Sequence, residues 1–434
     1  MRIFYYTFGC KVNQYETENI RELFLKEGHC DAEDLLSADV CIINSCTVTA
    51  QSDSKCRQLV HRIRNSNPEC VIVLAGCLPQ AFKDSAEKME ECDIISGTGR
   101  KRDIPELVRE FLRTGERIVS VEDRKPGEPF EPMKNTGSDD KTRAYIKIQD
   151  GCDQYCSYCI IPYARGHICS KSLADIRTET LELVGSGHRE IILTGINLCC
   201  YGRDLSNGTR LIDAVEAACS TEGDFRVRLG SIEPEMISDD DIARMSELDR
   251  LCPHFHLSLQ SGCDATLKRM RRHYSSGEFM LLCQKLRKYF PGCAITTDIM
   301  VGFPGETEEE FNESLEFVKK TGFSDAHIFP YSRRKGTAAD KMDGQTDKKT
   351  KQERARLITE ACRISRAEYL KGCIGMTLEV LFEKETSCDW HNGHAPNYIN
   401  VRVRRKSPSD SLRRELRQVR ITSSDGSFCY GELI

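Results

Sequence analysis

Three cysteines are crowded into one short segment of the chain. Cys152, Cys156 and Cys159 follow the spacing C-x3-C-x2-C, directly after an apolar run that predicts a strand. Three thiolates at this spacing can hold three corners of a four-iron cluster and leave the fourth iron open to chelate a small molecule. The alternative is a zinc knuckle completed by His167 or Cys169, in which four ligands would close the site.

A second set of cysteines lies nearer the N-terminus. Cys10, Cys46 and Cys77 each follow an apolar run, although they are far apart in sequence. Because the carboxyl ends of parallel strands lie along one edge of a sheet, the three thiols can converge there. The pattern predicts a second three-thiolate site, with buried thiols that pack as small hydrophobes as the alternative. Periodicity alone does not separate these two interpretations.

Polar and glycine residues follow several predicted strands in the central part of the chain. Loops after the strands of an α/β barrel form its ligand-binding face, so their repetition predicts a small-molecule pocket. The candidate cofactor contacts are Tyr158, Thr194, Gly195, Asn197, Ser231, Glu233, Gln260, Asp298 and Gly302. We interpret His254, His256 and His327 as core or pocket residues, and we assign no catalytic serine, histidine or aspartate.

The elements that must position these residues fall into three domains, in line with about 150 residues per domain in a chain of 434. Residues 1–120 alternate apolar runs with amphipathic stretches, which predicts a parallel α/β domain. Residues 121–143 are rich in proline, glycine and charge and predict a linker. Residues 144–345 predict a partial (β/α)6 barrel. A helical linker at 346–372 leads to a small all-β module at 373–434.

The predicted strands and one predicted helix are specific enough to test. The barrel strands are predicted at residues 145–148, 190–193, 225–229, 255–259, 294–300 and 326–329. The strands of the C-terminal module are predicted at residues 377–382, 398–403, 419–422 and 428–433. Thr307 and Glu310 form a capping box that predicts a helix start, and Gly322 predicts its end.

The composition narrows the class of protein. The chain has 23 cysteines, an odd number that cannot all pair within one chain, so most are expected to be thiols or metal ligands. It has no apolar run long enough to span a bilayer and no secretory signal, and we expect a cytoplasmic protein without a membrane partner. Although the net charge is -5, the chain contains local basic clusters that are candidates for RNA binding. These clusters are residues 55–64, 268–272, 402–406 and 413–420.

Five motifs spread along nearly the whole chain resemble those of the radical S-adenosylmethionine (SAM) methylthiotransferases. They are TFGCKVNQYET at 7–17, NSCTVT at 44–49, AGCLPQ at 75–80, the segment GCDQYCSYCIIPYARG at 151–166 and FPYSRRKGT at 329–337. The resemblance implies an N-terminal methylthiotransferase domain, a central radical SAM barrel and a C-terminal TRAM domain that binds RNA.

The same resemblance implies two 4Fe-4S clusters and S-adenosyl-L-methionine as cofactors. An auxiliary cluster would be ligated by Cys10, Cys46 and Cys77, which favours the metal-site interpretation of these residues. The other would be ligated by the three barrel cysteines, and reductive cleavage of SAM on its open iron would give methionine and a 5′-deoxyadenosyl radical. A second SAM molecule would methylate a sulfur species held at the auxiliary cluster.

Within the family, the first and fourth motifs look most like the MtaB branch. This implies a tRNA-modifying transferase that adds a methylthio group to carbon 2 of N6-threonylcarbamoyladenosine at position 37. The alternatives are the branches that act on isopentenyladenosine in tRNA or on a ribosomal-protein aspartate, and a non-catalytic metal-containing RNA-binding protein. The expected partners are tRNA, a reductant such as flavodoxin or ferredoxin, and a sulfur donor, with the enzyme itself a monomer.

Overall fold

The computed structural model describes residues 1–134, 141–384, 387–407 and 409–434. Its N-terminal part is a six-stranded sheet in which every strand pair is parallel. All residues of the two central strands are buried, as expected for apolar runs covered by helices on both faces. In spatial order the strands are Cys30–Asp31, Arg2–Thr7, Val40–Ser45, Val71–Gly76, Ile94–Ser96 and Ile118–Ser120. The helices are Lys11–Lys26, Ala50–Ser66, Cys77–Ala81, Lys83–Glu87 and Ile104–Thr114.

The central part is the partial barrel that the sequence predicts, with six parallel strands. Two hydrogen-bonded sheets adjoin at Gly230, where the strand Arg226–Leu229 continues as Ser231–Ile232. The other strands are Arg143–Lys147, Glu190–Thr194, His254–Gln260, Ala294–Val301 and Asp325–Pro330. The helices are Ile161–Arg165, Leu173–Gly185, Leu211–Cys219, Asp239–Ser246, Asp264–Arg269, Ser276–Tyr289 and Glu308–Thr321. A short antiparallel pair joins Gln149–Asp150 to Cys169–Ser170.

The barrel strands are apolar on one face and polar on the other. Outward residues such as Ile191, Val227 and Phe255 belong to one large core that the helices cover. Because side chains alternate along a strand, the residues between them face the barrel interior. His256 and Asp298 lie on that inner face, with His256 Nε2 3.2 Å from Asp298 Oδ2. The inner face of the barrel strands is therefore polar.

The predicted capping box is confirmed. The Thr307 hydroxyl accepts a hydrogen bond from the Glu310 N–H, and Gly322 ends the helix with a φ of 66°. The helical linker is also present, as the helix Lys348–Gly372. No helix in the described part of the chain is long and apolar enough to cross a membrane.

The C-terminal module is a closed barrel of five strands. Its strands are Thr377–Phe382, Trp390–His394, Asn400–Arg404, Leu416–Ser424 and Cys429–Leu433. The sequence prediction of four strands missed Trp390–His394, whose polar residues and glycine are uncommon in strands. That strand pairs with both Thr377–Phe382 and Asn400–Arg404, and the closure of the barrel depends on it.

The C-terminal barrel covers the amino-terminal end of the central barrel. Arg226 donates to the backbone oxygens of Glu379 and His394, at 3.0 and 2.9 Å. Arg228 donates to Pro396 O at 3.0 Å and to Glu190 Oε1 at 2.9 Å. Because the two arginines that make these contacts are buried, the two barrels are joined by a packed interface.

The segment predicted as a linker is packed against the domains it connects. Residues 121–134 hold no helix or strand, although Met133 is buried, and the last residue of the predicted linker, Arg143, begins the first barrel strand. The Tyr15 hydroxyl donates to Met133 O at 2.6 Å. Residues 135–140 of the predicted linker lie outside the described residues. Residues 121–134 therefore pack across the N-terminal domain and the barrel. The domain boundaries stay predictions.

Candidate cluster and cofactor sites

The loop that carries Cys152, Cys156 and Cys159 lies flat against the chain that follows it. Gly151 has a φ of 72°, and a Cβ there would lie 1.8 Å from the backbone oxygen of His167. The Cys152 N–H donates to Gly166 O at 3.0 Å. Only glycine permits this close approach. The backbone contact therefore fixes the position at which the loop with the three cysteines starts.

Each barrel thiol lies beside a nitrogen donor. The Ile161 N–H donates to Cys159 Sγ at 3.4 Å, and Arg272 Nη1 donates to Cys156 Sγ at 3.5 Å. Asn197 Nδ2 lies 3.9 Å from Cys152 Sγ. Burial raises the pKa of Cys152 to about 11 and that of Cys159 to about 12, which opposes the thiolate. Donors at the sulfur favour the thiolate, the form that binds iron.

The donor set fits a cluster better than a single ion. In the part of the chain that the structure describes, no three His, Cys, Asp or Glu side chains surround one metal position. A zinc knuckle needs four ligands about one ion, whereas cluster thiolates each bind a different iron. His167 Nδ1 instead lies 2.7 Å from Asp153 Oδ1, and Cys169 belongs to a short strand pair. The zinc alternative therefore has no support in this geometry.

Buried polar atoms around the loop also indicate a missing ligand. Three such atoms have no hydrogen-bond partner among the described residues, although buried polar groups are normally paired. They are Asn197 Oδ1, Gln260 Oε1 and Gln154 Oε1. Gln260 is held at a φ of 65°, an uncommon backbone conformation for a non-glycine residue. A bound cofactor would satisfy such groups, and the residues present fit one.

The candidate cofactor contacts divide into those near the loop and those away from it. Asn197 and Glu233 lie beside it, since Glu233 pairs with the same Arg272 that contacts Cys156. Thr194 is buried and its backbone oxygen accepts from Ile148, while Gly195 packs on Gln149.

The other candidates have different surroundings. Tyr158 stacks edge-on against Phe303, with ring centroids 6.4 Å apart. Ser231 is exposed, and Asp298 is paired with His256 on the inner face. The Gly302 N–H donates to Glu306, and a Cβ at this position would lie 2.4 Å from Lys351 of the long helix. Gly302 is therefore turned toward that helix and away from the loop.

Arg272 is a site residue that sequence reasoning missed. The sequence placed it in a basic cluster at 268–272 that was expected to bear on RNA binding. Its side chain is only 3% exposed and contacts Cys156 and Glu233, and Arg269 pairs with Glu310. Two arginines of that cluster are therefore occupied inside the protein, whereas Lys268 and Arg271 are exposed. No local pattern separates a buried arginine from an exposed one.

The N-terminal cysteines are brought to one edge of the sheet. Cys10 precedes the helix Lys11–Lys26, Cys46 follows a central strand, and Cys77 begins a short helix after the neighbouring strand. Cys10 is exposed, whereas Cys46 and Cys77 are buried. A Cβ at Gly9 would lie 2.8 Å from Cys46 Sγ, which shows how closely the first two segments approach. This is the arrangement that a second cluster needs.

Arg165, which lies shortly after the barrel loop in the chain, contacts a cysteine of the N-terminal set. It follows the barrel loop by six residues, and its Nε donates to Cys77 Sγ at 3.3 Å. The same fully buried guanidinium contacts Glu16, Asn13 and Asp150. Burial raises the pKa of the Cys77 thiol, and Arg165 acts in the opposite direction.

Arg165 belongs to a network of buried charged side chains. Lys101 and Lys147 join it as buried cations, and Glu16 and Asp150 are the carboxylates that they contact. Burial alone would raise the pKa of Glu16, but the three cations hold that pKa well below its usual range. Glu131 lies near Lys147 and Lys101 as a third carboxylate, so the network holds as many carboxylates as cations.

A second arginine ties the loop after Cys46 to the barrel. Arg334, just past the last barrel strand, donates to Thr47 Oγ1 and to Asp53 Oδ2, both at 2.7 Å. All three side chains are buried. Buried contacts of Arg165 and Arg334 thus join the N-terminal domain, which carries one cysteine set, to the barrel, which carries the other.

We expect Gly151→Ala to displace the barrel loop, because the added methyl group would overlap the His167 backbone. The variant should bind less iron after reconstitution and unfold at a lower temperature than the natural protein. The matched control is Gly187→Ala, which has a φ of 92° but open space around it and should cost only about 1 kcal/mol. Equal iron content and melting temperature in the two variants would contradict this role for Gly151.

Comparisons with known proteins agree with the fold and the cysteine loop. The model of the Radical SAM superfamily matches residues 146–318, and that of the Uncharacterized protein family UPF0004 matches residues 2–97. A solved structure of the radical SAM methyltransferase TsrM from Kitasatospora setae superposes with a TM-score of 0.59 at 14% identity. The match covers 78% of this chain and 77% of that one. Fold and loop together define a radical SAM protein with further domains at both ends.

Curated relatives specify the family. The threonylcarbamoyladenosine tRNA methylthiotransferase MtaB of Thermotoga maritima is 40% identical, over 87% of this chain and 85% of the relative. MtaB of Bacillus subtilis is 38% identical, over 92% and 89%. The tRNA-2-methylthio-N(6)-dimethylallyladenosine synthase of Clostridium tetani is 35% identical, over 88% and 85%. The chain belongs to the MtaB-like family of radical SAM methylthiotransferases. As a radical SAM transferase it uses a 4Fe-4S cluster and SAM.

Proposed function

We propose that the protein adds a methylthio group to carbon 2 of N6-threonylcarbamoyladenosine at position 37 of tRNA. The observation that carries this proposal is the presence of two three-cysteine sets, with Arg165, six residues after the barrel loop, in contact with Cys77 of the other set. A reaction that needs both a radical and a methylated sulfur requires two sites held next to each other. The MtaB relatives are named for the threonylcarbamoyl substrate and favour it over the dimethylallyl alternative.

We assign the cofactors to named residues. Cys152, Cys156 and Cys159 would hold the cluster that binds SAM, and Cys10, Cys46 and Cys77 would hold an auxiliary 4Fe-4S cluster. When bound, these groups supply the radical that removes hydrogen from the base carbon and the methylated sulfur that replaces it. The chain's own task is to orient them and exclude water. A reductant such as flavodoxin or ferredoxin and a sulfur donor complete the partners.

Charge on two surfaces supports tRNA as the substrate. On the helix Ala50–Ser66, Lys55 and Arg57 are exposed, although Arg64 is held by Asp93 at 2.7 Å. On the C-terminal barrel, Arg404 and Arg420 are exposed. Exposed arginines on a five-stranded barrel suit contacts with phosphates, the sequence-independent part of RNA binding.

Mass spectrometry of tRNA nucleosides tests the proposal. In a strain from which this gene is deleted, 2-methylthio-N6-threonylcarbamoyladenosine should disappear and its precursor without the methylthio group should accumulate. The natural gene should restore it, and a gene encoding Cys156→Ala should not. Loss of the isopentenyl counterpart instead would show that the substrate branch is wrong. Unchanged tRNA with a ribosomal protein that lacks its methylthio group would overturn tRNA as the substrate.

A further inference from the structure

A cleft of about 870 Å³ separates the N-terminal domain from the central barrel. Its walls include Leu78 and Ile160, which directly follow Cys77 and Cys159 in the chain. The cleft is therefore lined by the residue that follows one cysteine of each set, although the cysteines themselves are not part of its walls. A volume of this order is enough for a nucleotide, since pockets for small ligands span roughly 300–1,000 Å³.

The cleft is lined mainly by positive charge. Five cationic side chains and two carboxylates face it. The cations are Arg57, Lys83, Arg333, Arg334 and Lys335, and the carboxylates are Asp53 and Asp84. Arg334 and Asp53 neutralise each other at 2.7 Å, but Arg57, Lys83 and Lys335 are exposed. The free charge in the cleft is therefore cationic and complements a phosphate backbone.

Tyr163 is exposed beside these cations, and a second exposed tyrosine, Tyr155, packs against its ring. Tyr163 lines the cleft with 54% of its surface exposed, and Tyr155 is 42% exposed. Their rings form an edge-to-face pair with centroids 5.9 Å apart. Tyr155 has a φ of 48°, a conformation that a bulky residue rarely adopts. Large aromatic side chains held in the open next to cations are typical of surfaces that stack unpaired bases.

We propose that Tyr163 and Tyr155 stack on unpaired bases of the tRNA anticodon loop while Arg57, Lys83 and Lys335 contact its phosphates. This inference rests on the proposed function, because it takes tRNA as the substrate. It adds the route by which position 37 reaches the two clusters: the loop enters through the cleft, and stacking holds the neighbouring bases at its rim. Tyr163 and Tyr155 are thus positioning residues.

The test measures binding of an anticodon stem-loop RNA to the cluster-loaded enzyme by fluorescence anisotropy. Tyr163→Ala and Tyr163→Leu should each weaken binding about 5- to 150-fold, the effect of losing one stacked base. Tyr163→Phe should bind within about twofold of the natural protein, since the phenyl ring still stacks. The matched control is Tyr289→Ala, which removes a tyrosine that is 41% exposed on a barrel helix. It should not change binding.

The salt dependence of RNA binding provides a second measurement. It would not change if the substituted residues only stabilised the fold. Arg57→Gln and Lys335→Gln should each lower the slope of log Kd against log salt by about 0.7, the value for one contact to single-stranded nucleic acid. Equal binding by the Phe, Leu and Ala variants, with unchanged salt slopes, would overturn the inference and leave the proposed function standing. Failure of the natural protein to bind the stem-loop at all would instead overturn the proposed function.

Discussion

Replacement of Cys46 by alanine is expected to abolish methylthiolation of tRNA while 5′-deoxyadenosine formation stays measurable. Cys46 lies at the edge of the N-terminal sheet with Cys10 and Cys77, apart from the three cysteines of the barrel loop. Loss of one thiolate removes a corner ligand of the proposed auxiliary cluster only. Single-turnover assays with SAM, dithionite and substrate tRNA would report both products from one sample.

Two controls make the Cys46 result interpretable. Cys156→Ala should lose both products, because it removes a ligand of the cluster that binds SAM. Cys56→Ala should keep both, since Cys56 is a buried thiol in the apolar core of the same domain. If Cys46→Ala lost 5′-deoxyadenosine and methylthiolation equally, the separation into two independent cluster sites would be wrong.

Replacement of Arg165 by methionine is expected to destabilise the protein by about 3–5 kcal/mol, the usual cost of removing one partner from a buried ion pair. Methionine fills much of the same space, but Glu16 and Asp150 lose a shared partner in a region closed to water. The Cys77 sulfur loses its donor as well. Urea unfolding of the natural and variant proteins measures the change in the free energy of unfolding.

Arg109→Met is the matched control for Arg165. Arg109 pairs with Glu27 on the surface, with 53% of its side chain exposed, and its loss should leave the free energy of unfolding nearly unchanged. Arg165→Lys should also be costly, because a lysine keeps the charge but cannot reproduce the fork that reaches several acceptors. An unfolding free energy for Arg165→Met within 1 kcal/mol of the control would mean that the network contributes little stability.

Much of the fold could be predicted because hydrophobic periodicity reports burial. The six barrel strands and the helix that starts after Thr307 are set by alternation and by capping chemistry, both local properties of the sequence. The strand Trp390–His394 could not be predicted in this way. Its Gly393 is required because a Cβ there would lie 2.6 Å from Leu381 O of the neighbouring strand, a constraint that exists only after the barrel closes.

The site was predictable to a lesser extent. Parallel strands must end at one edge, so the gathering of Cys10, Cys46 and Cys77 follows from topology. The roles of Arg165 and Arg272 do not follow from any local pattern, because burial decides whether an arginine faces water or a thiol. Both arginines lie within motif-rich or basic segments of the sequence, where an RNA contact is the simpler expectation.

The interface at the amino-terminal end of the central barrel has a consequence during protein synthesis. Arg228 and the Pro396 oxygen that accepts its hydrogen bond are 168 residues apart. At about 5–20 residues per second, a ribosome needs about 8 to 34 s to cover that distance. The last barrel strand ends at Pro330, so over the final 66 residues of this interval the barrel strands are complete but their buried arginines still lack their acceptors on the C-terminal barrel. A chain that ends after the helix Lys348–Gly372 would lack these acceptors permanently. The amino-terminal end of its central barrel would then be uncovered and accessible to quality-control proteases.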